Sequence, residues 1–198
     1  MLEFVVLGDT NVGKSSLIDR FCNDKFTLTY TPTTRKVNYL RINNLVEMSY
    51  ICKTITLSGK KLKLKIWDTP GQTDADSVLS HCCKGMNGFI LMYSTQDPDS
   101  LRNLKFWIEN LEKKLSSKLK AVVVGNKIPG QEVQINYKDV EQFVLEHNLR
   151  HFEVNVQDDL EIDMPFLELV AAIRYADLNN VDDVRIGTGS NLYIDILN

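Results

Sequence analysis

Between a short apolar run and a helical stretch lies Gly8-Asp9-Thr10-Asn11-Val12-Gly13-Lys14-Ser15, with the spacing G-x-x-x-x-G-K-[ST]. Glycines at the two ends of that spacing let backbone N–H groups turn inward around phosphate oxygens. The amides of Asn11, Val12, Gly13, Lys14, Ser15 and Ser16 are therefore candidate phosphate ligands. Lys14 can reach the β- and γ-phosphates of a nucleotide, and the Ser15 hydroxyl can ligate magnesium. A helix starting at this point adds partial positive charge beside the phosphates. The strand–loop–helix context that separates such a motif from a chance glycine-rich turn is present. The loop alone does not separate one kind of nucleoside triphosphatase or kinase from another.

A second constellation, Trp67-Asp68-Thr69-Pro70-Gly71-Gln72, narrows the chemistry. Asp68 ends an apolar strand, where its carboxylate can hold a magnesium shell, usually through water. The Gly71 N–H can meet a γ-phosphate, and Gln72 can orient an attacking water.

The elements that must position these groups are legible from periodicity. Leu2–Leu7 reads as a first strand, and a helix begins at Ser15 and runs through Phe21. Ile51–Leu57 and Lys61–Trp67 alternate and flank Ser58-Gly59, the pattern of an antiparallel hairpin. Lys60, Lys61, Lys63 and Lys65 then fall on the wet face of its second strand. Gly88–Tyr93 and Ala121–Val124 are continuous apolar runs, as central parallel strands require. Asp97-Pro98-Asp99-Ser100 opens a helix to about Leu115, with Leu101, Leu104, Trp107, Ile108 and Leu111 at helical spacing. Tyr137–Glu146 is expected as a helix, Phe152–Val154 as a short strand and Met164–Ala176 as a closing helix. Alternating strands and helices of this kind make an α/β fold with a largely parallel sheet.

At 198 residues, 43% hydrophobic and 25% charged, the chain can bury one core without disulfide or metal staples. A net charge of −3 argues against nucleic acid or an anionic membrane as the main partner. No apolar stretch is long enough to span a bilayer, and no secretory signal is visible. The expected location is cytoplasmic, or peripheral to endomembranes. Cys22, Cys52, Cys82 and Cys83 lack paired metal-ligand spacing and read as reduced, buried or incidental thiols; His81-Cys82-Cys83 lacks the further partners a metal needs. Residues 1–176 are expected as the nucleotide-binding domain and 177–198 as a polar, acidic tail or linker.

At Asp68–Gln72 the chain resembles the Ras superfamily of small GTPases, most closely the Rab-like branch, from about Leu2 to Tyr175. The resemblance implies the three-layer P-loop NTPase fold, with a mostly parallel six-stranded sheet and one antiparallel edge strand. It implies GTP/GDP and magnesium as ligands, slow GTP hydrolysis with Gln72 and Lys14 as the catalytic pair, and vesicle trafficking or related signalling. Effectors, an exchange factor and a GTPase-activating protein are the implied partners, met through two switch segments. By position, Phe26 resembles the aromatic beside the guanine, and Tyr30 the tyrosine that closes over the γ-phosphate. Thr33 resembles the first-switch threonine that joins Ser15 and Asp68 at magnesium, with Thr34 the adjacent alternative. Trp67 matches either the tryptophan common between Rab switches or an ordinary half-buried strand aromatic.

Several positions depart from the family pattern. Its Asn-Lys-x-Asp base motif reads Asn126-Lys127-Ile128-Pro129. Asn126 can still tie this loop to the P-loop and the Lys127 stem can lie over a base, but proline offers no side-chain acceptor to guanine. Gln131 or Glu132 are candidate substitutes. The later Glu-x-Ser-Ala-Lys loop reads Glu153-Val154-Asn155-Val156-Gln157, where the Val156 amide can still meet the guanine oxygen. Pro70 should stiffen the second switch, and Cys82-Cys83 replaces the usual bulky aromatics. The inter-switch region is longer than the family norm: Val37–Ile42, Asn43-Asn44 and Leu45–Met48 read as an extra β-hairpin in preference to a structureless insertion. The segment Leu192–Asn198 carries no cysteine for a prenyl anchor. These departures leave a second reading open, an interaction module with weak or absent turnover or with altered base choice.

Overall fold

The computed structural model describes residues 1–23, 38–42, 46–57, 59–69, 78–80, 83–116 and 118–179, with backbone alone at 38–42, 46–47 and 176–179. The elements follow in the order β1 (Leu2–Leu7), α1 (Lys14–Asn23), β2 (Asn38–Ile42), β3 (Val46–Leu57), β4 (Lys60–Asp68) and β5 (Gly88–Ser94). After these come α2 (Pro98–Lys114), β6 (Ala121–Asn126), α3 (Tyr137–Glu146), β7 (Arg150–Val154) and α4 (Met164–Asn179).

One seven-stranded sheet runs β2-β3-β4-β1-β5-β6-β7. From β4 to β7 neighbouring strands are parallel, and β3 is antiparallel to both β2 and β4. The expected antiparallel strand is therefore β3, and it lies one place in from the edge because β2 covers it. The arms of the extra hairpin pair as expected, with Asn38 opposite Tyr50 and Ile42 opposite Val46, while the Asn43-Asn44 turn lies outside the described residues. The second arm does not stop at Met48: it continues to Leu57 and pairs with β4 from Ser49 opposite Asp68 to Leu57 opposite Lys60. One twelve-residue strand thus serves two hairpins. The β-branched and aromatic content of the stretch favours this continuity.

Period-2 alternation splits the core into two layers. Phe4 and Val6 of β1 face α1 and α4, joining Leu17, Phe21, Ile66, Met92, Phe166 and Val170. Val5 and Leu7 face α2 and α3, joining Trp67, Leu91, Leu104, Trp107, Ile108 and Val140. Every residue of β5 is buried, as a strand covered on both faces must be. The rings of Phe21 and Phe166 stack at 3.8 Å and bind α1 to α4. The Asp97 carboxylate caps α2 by accepting the Asp99 N–H at 3.1 Å, and the Asn136 side chain caps α3 through the Lys138 N–H at 3.0 Å. The closing helix runs to Asn179, past the expected end at Ala176.

Parallel register carries the site. Val6 pairs with Asp68, Ser94 with Asn126, and Asn126 with Val154, so the loops after β1, β4, β6 and β7 leave one edge of the sheet together. In open α/β sheets that carboxyl edge is where ligands bind.

Candidate nucleotide site

The two ends of the loop, Gly8 and Gly13, leave no room for a side chain. A Cβ on Gly8 would lie 2.1 Å from the Met92 carbonyl oxygen, and one on Gly13 would lie 2.5 Å from Asn126 Nδ2. Asn11 adopts a left-handed φ of 63°, which turns the loop back over the start of α1. The Leu17 N–H bonds to Gly13 O at 2.9 Å, so the helix begins on the loop itself.

Lys14 is 6% exposed, and its ammonium donates to Gly8 O at 3.0 Å and to Asp9 O at 2.6 Å. The cation is thereby held at the mouth of the loop. Burial pushes its pKa below the usual lysine value, opposed by the charges of Asp68 and Asp9. Ser15 Oγ donates to Asp68 Oδ2 at 2.6 Å, which brings two of the expected magnesium ligands together from positions 53 residues apart. Burial raises the Asp68 pKa, opposed by the Ser15 hydrogen bond and by Lys14, and Asp68 Oδ1 is buried with no hydrogen-bond partner among the described residues. A carboxylate oxygen without a donor, beside a serine hydroxyl and a lysine, suits a hydrated divalent cation shared with phosphate. Thr69 Oγ1 donates to Val6 O at 2.7 Å and fastens the end of β4 to the strand that enters the loop.

On the base side, Asn126 Nδ2 donates to Val12 O at 3.1 Å, and its Oδ1 accepts the Val156 N–H at 3.5 Å. Asn126 therefore ties its own loop to the P-loop, as expected, and holds the loop after β7 as well. The Lys127 N–H bonds to Val154 O at 2.9 Å, while its ammonium lies 3.6 Å from the Glu153 carboxylate. Pro129 and Gly130 occupy the centre of a turn closed by the Gln131 N–H on Ile128 O at 3.4 Å, with φ of +73° at Gly130. This is the type II arrangement that Pro-Gly favours. Gln131 and Glu132, the candidate substitutes for the missing acceptor, are both exposed.

Phe26, Tyr30, Thr33, Thr34, Pro70, Gly71, Gln72, His81 and Cys82 lie outside the described residues, as does the tail beyond Asn179. Trp67 is 7% exposed, its indole N–H donates to Glu3 at 2.9 Å, and its ring meets Tyr50 at 4.8 Å. It is more buried than an ordinary half-buried strand aromatic. Lys60, Lys61 and Lys63 are exposed as expected, whereas Lys65 pairs with Glu3 at 3.2 Å and lies over Tyr50 and Trp67. Cys52 is exposed and Cys22 and Cys83 are half-buried; no metal-holding cluster occurs among the described residues. No described helix is long and apolar enough to cross a membrane.

Residues that sequence reasoning passed over also shape the site. The Asp9 carboxylate accepts Asn103 Nδ2 at 2.6 Å and Trp107 Nε1 at 3.5 Å, which anchors the P-loop to α2. Arg20 reaches from α1 to the loop after β7, donating to Val156 O and Gln157 O. Nothing local marks Asp9. Nor does anything local mark Arg20, which follows Asp19 as part of an ordinary charged pair between Ile18 and Phe21.

A strand, phosphate loop and helix, with an aspartate at the end of the adjacent parallel strand, define a P-loop nucleotide-binding protein. Residues 3–175 match the Ras family profile. The chain is similar to Ras-related protein Rab-10 of Diplobatis ommata, at 28% identity over 97% of this chain and 94% of that protein. It is similar to GTP-binding protein ypt1 of Schizosaccharomyces pombe at 27% identity, covering 97% of this chain and 93% of that one. Similarity to Ras-related protein Rab-1C of Dictyostelium discoideum is 29%, over 88% of this chain and 81% of the other. The chain belongs to the Ras family, as a Rab-like small GTPase. That class consists of molecular switches that bind GTP and GDP with magnesium, hydrolyse GTP, and act through regulators and effectors.

Proposed function

We propose that this chain is a GTP/GDP switch whose nucleotide affinity rests chiefly on the phosphates and magnesium and less than usual on the base. The observation that carries this reading is the convergence of Lys14, Ser15 and Asp68, opposite a base loop that turns through Pro129. The amides of Asn11 to Ser16 and the Lys14 ammonium hold the phosphates. Ser15, Asp68 and Thr33 hold magnesium, which when bound neutralises charge on the phosphate oxygens. Lys14 stabilises charge that develops during hydrolysis, the Gly71 amide meets the γ-phosphate, Tyr30 closes over it, and Gln72 orients the attacking water. Phe26, Asn126, Lys127 and the Val156 amide attend to the base.

Hydrolysis by the chain alone is slow, and a partner that supplies an arginine raises it by ~10³–10⁵. The switches are the surfaces for exchange factors, activating proteins and effectors. Residues 1–176 act as the switch domain and 177–198 as its tail or linker. The setting is vesicle trafficking or related signalling, in the cytoplasm or on the surface of endomembranes, without nucleic acid.

Titration with fluorescent GDP, with and without magnesium, tests the reading. Binding should be saturable, weaken on chelation and be lost in Lys14→Ala. No binding in either condition removes it in favour of an interaction module that acts without nucleotide. Pro129 favours a second reading, altered base choice. Competition by ATP as effective as that by GTP, with measurable turnover of both, would support that alternative.

A further inference from the structure

Arg20 lies on α1 six residues past Lys14, about 9 Å along the helix at the usual rise per residue. Its Nε donates to Val156 O at 3.0 Å and its Nη2 to Gln157 O at 2.7 Å. The side chain is 14% exposed, and the more exposed Asp159 carboxylate lies 3.8 Å away. A planar guanidinium that takes two successive carbonyls fixes both peptide planes at once, which a single flexible ammonium cannot do.

With those carbonyls held toward α1, the amides of Gln157 and Asp158 turn to the other side. Both donate to Asn155 Oδ1, at 3.1 Å and 3.0 Å. Asp159 then completes the bend at a φ of 59°. The Val156 amide sits immediately before the first clamped carbonyl. Its acceptor, Asn126 Oδ1, is 3.5 Å away, long enough for a better acceptor to receive the hydrogen bond instead. Pro129 brings no side-chain acceptor or donor to a base, so orientation of the Val156 amide has unusual weight here.

We propose that Arg20 is a positioning residue for base selectivity: through Val156 O and Gln157 O it aims the Val156 amide at the 6-oxygen of a guanine. The proposal rests on the nucleotide-binding reading above. It makes α1 the common support of both halves of the ligand, phosphates at its first turn and base through Arg20 two turns later.

The test uses the full chain and compares GDP with 2-aminopurine riboside diphosphate, which carries hydrogen in place of the 6-oxygen and also lacks the N1 hydrogen, a donor for which Pro129 offers no side-chain acceptor. Displacement of a fluorescent nucleotide should show the wild type favouring GDP by about tenfold, the worth of one well-aimed hydrogen bond. Arg20→Met and Arg20→Lys should both bring that preference to about twofold and leave the 2-aminopurine nucleotide's affinity unchanged, because only the aimed hydrogen bond is lost. Lysine keeps the charge beside Asp159 without the fork, so it separates charge from geometry. Asp159→Asn should keep the wild-type preference. Equal losses of both nucleotides in the Arg20 variants would overturn the proposal, leaving Arg20 a purely structural residue. So would a wild type that binds the two equally. A wild type that binds neither with magnesium present overturns the nucleotide reading itself, and the proposal with it.

Discussion

Lys14 sits with its ammonium on two carbonyls of its own loop, so its stem and charge are in place before any ligand arrives. Replacing it with methionine keeps much of the buried stem and removes the charge. Nucleotide affinity should fall on the order of a hundredfold, the worth of two charge-assisted hydrogen bonds. The thermal midpoint of the free protein should move little, and calorimetric titration beside a melting curve checks both. Pro129 allows the opposite experiment. Gly130 supplies the positive φ of the base-loop turn, so Pro129→Asp can keep the turn while adding an acceptor. GDP should bind about tenfold more tightly in that variant, with ADP unchanged or weaker. Unchanged GDP affinity would mean that another group already reads the base.

Among the elements, α2 has two tasks: it fills one face of the sheet with Leu101, Leu104, Ile108 and Leu111, and it holds Asp9 through Asn103 and Trp107. Its start depends on the Asp97 cap, and Asp97→Ala should cost about 1 kcal/mol in urea unfolding. Because Trp107 stays packed, nucleotide affinity in that variant should be near that of the wild type. The long β3 invites a different measurement. From Ser49 onward it is paired with β4, and from Val46 to Tyr50 with β2. Amide exchange should be slow along Ile51–Leu57 and intermediate along Asn38–Ile42. Fast exchange throughout 38–48 in the nucleotide-bound protein would contradict the added hairpin.

Across the whole molecule, β5, β6 and β7 are joined by a side chain as well as by their ladders. The Tyr93 ring passes over Gly125, where a Cβ would lie 2.5 Å from its hydroxyl, and meets His151 Nε2 at 2.9 Å. Burial lowers the His151 pKa below its ordinary 6.5, with Glu153 opposing. The unfolded chain takes up the proton first as pH falls through 6.5, so the stability His151 confers is full above that value. It is lost as pH falls from there toward the folded value. The urea midpoint should therefore drop more steeply between about pH 7 and about pH 5 in the wild type than in His151→Gln, which titrates no proton there.

Much of this protein is local in origin. The P-loop depends on two glycines and a lysine at fixed spacing, and apolar runs alone place β1, β5 and β6 to within two residues. The roles proposed for Phe26, Tyr30, Thr33, Gly71 and Gln72 rest on resemblance to the family alone, since these residues lie outside the described ones. Other features depend on register and reach, which no window of sequence contains. Pairing of Val6 with Asp68 is what brings Ser15 to the aspartate, and continuity of β3 is decided by two partner strands at once. Arg20 lies 136 residues from Val156, and Asp9 lies 98 from Trp107. Sequence alone determined the phosphate-loop motif, because backbone amides around a phosphate need only local geometry. The tertiary structure decided how the base-side loops are supported, because groups far apart in the chain had first to be packed against one sheet.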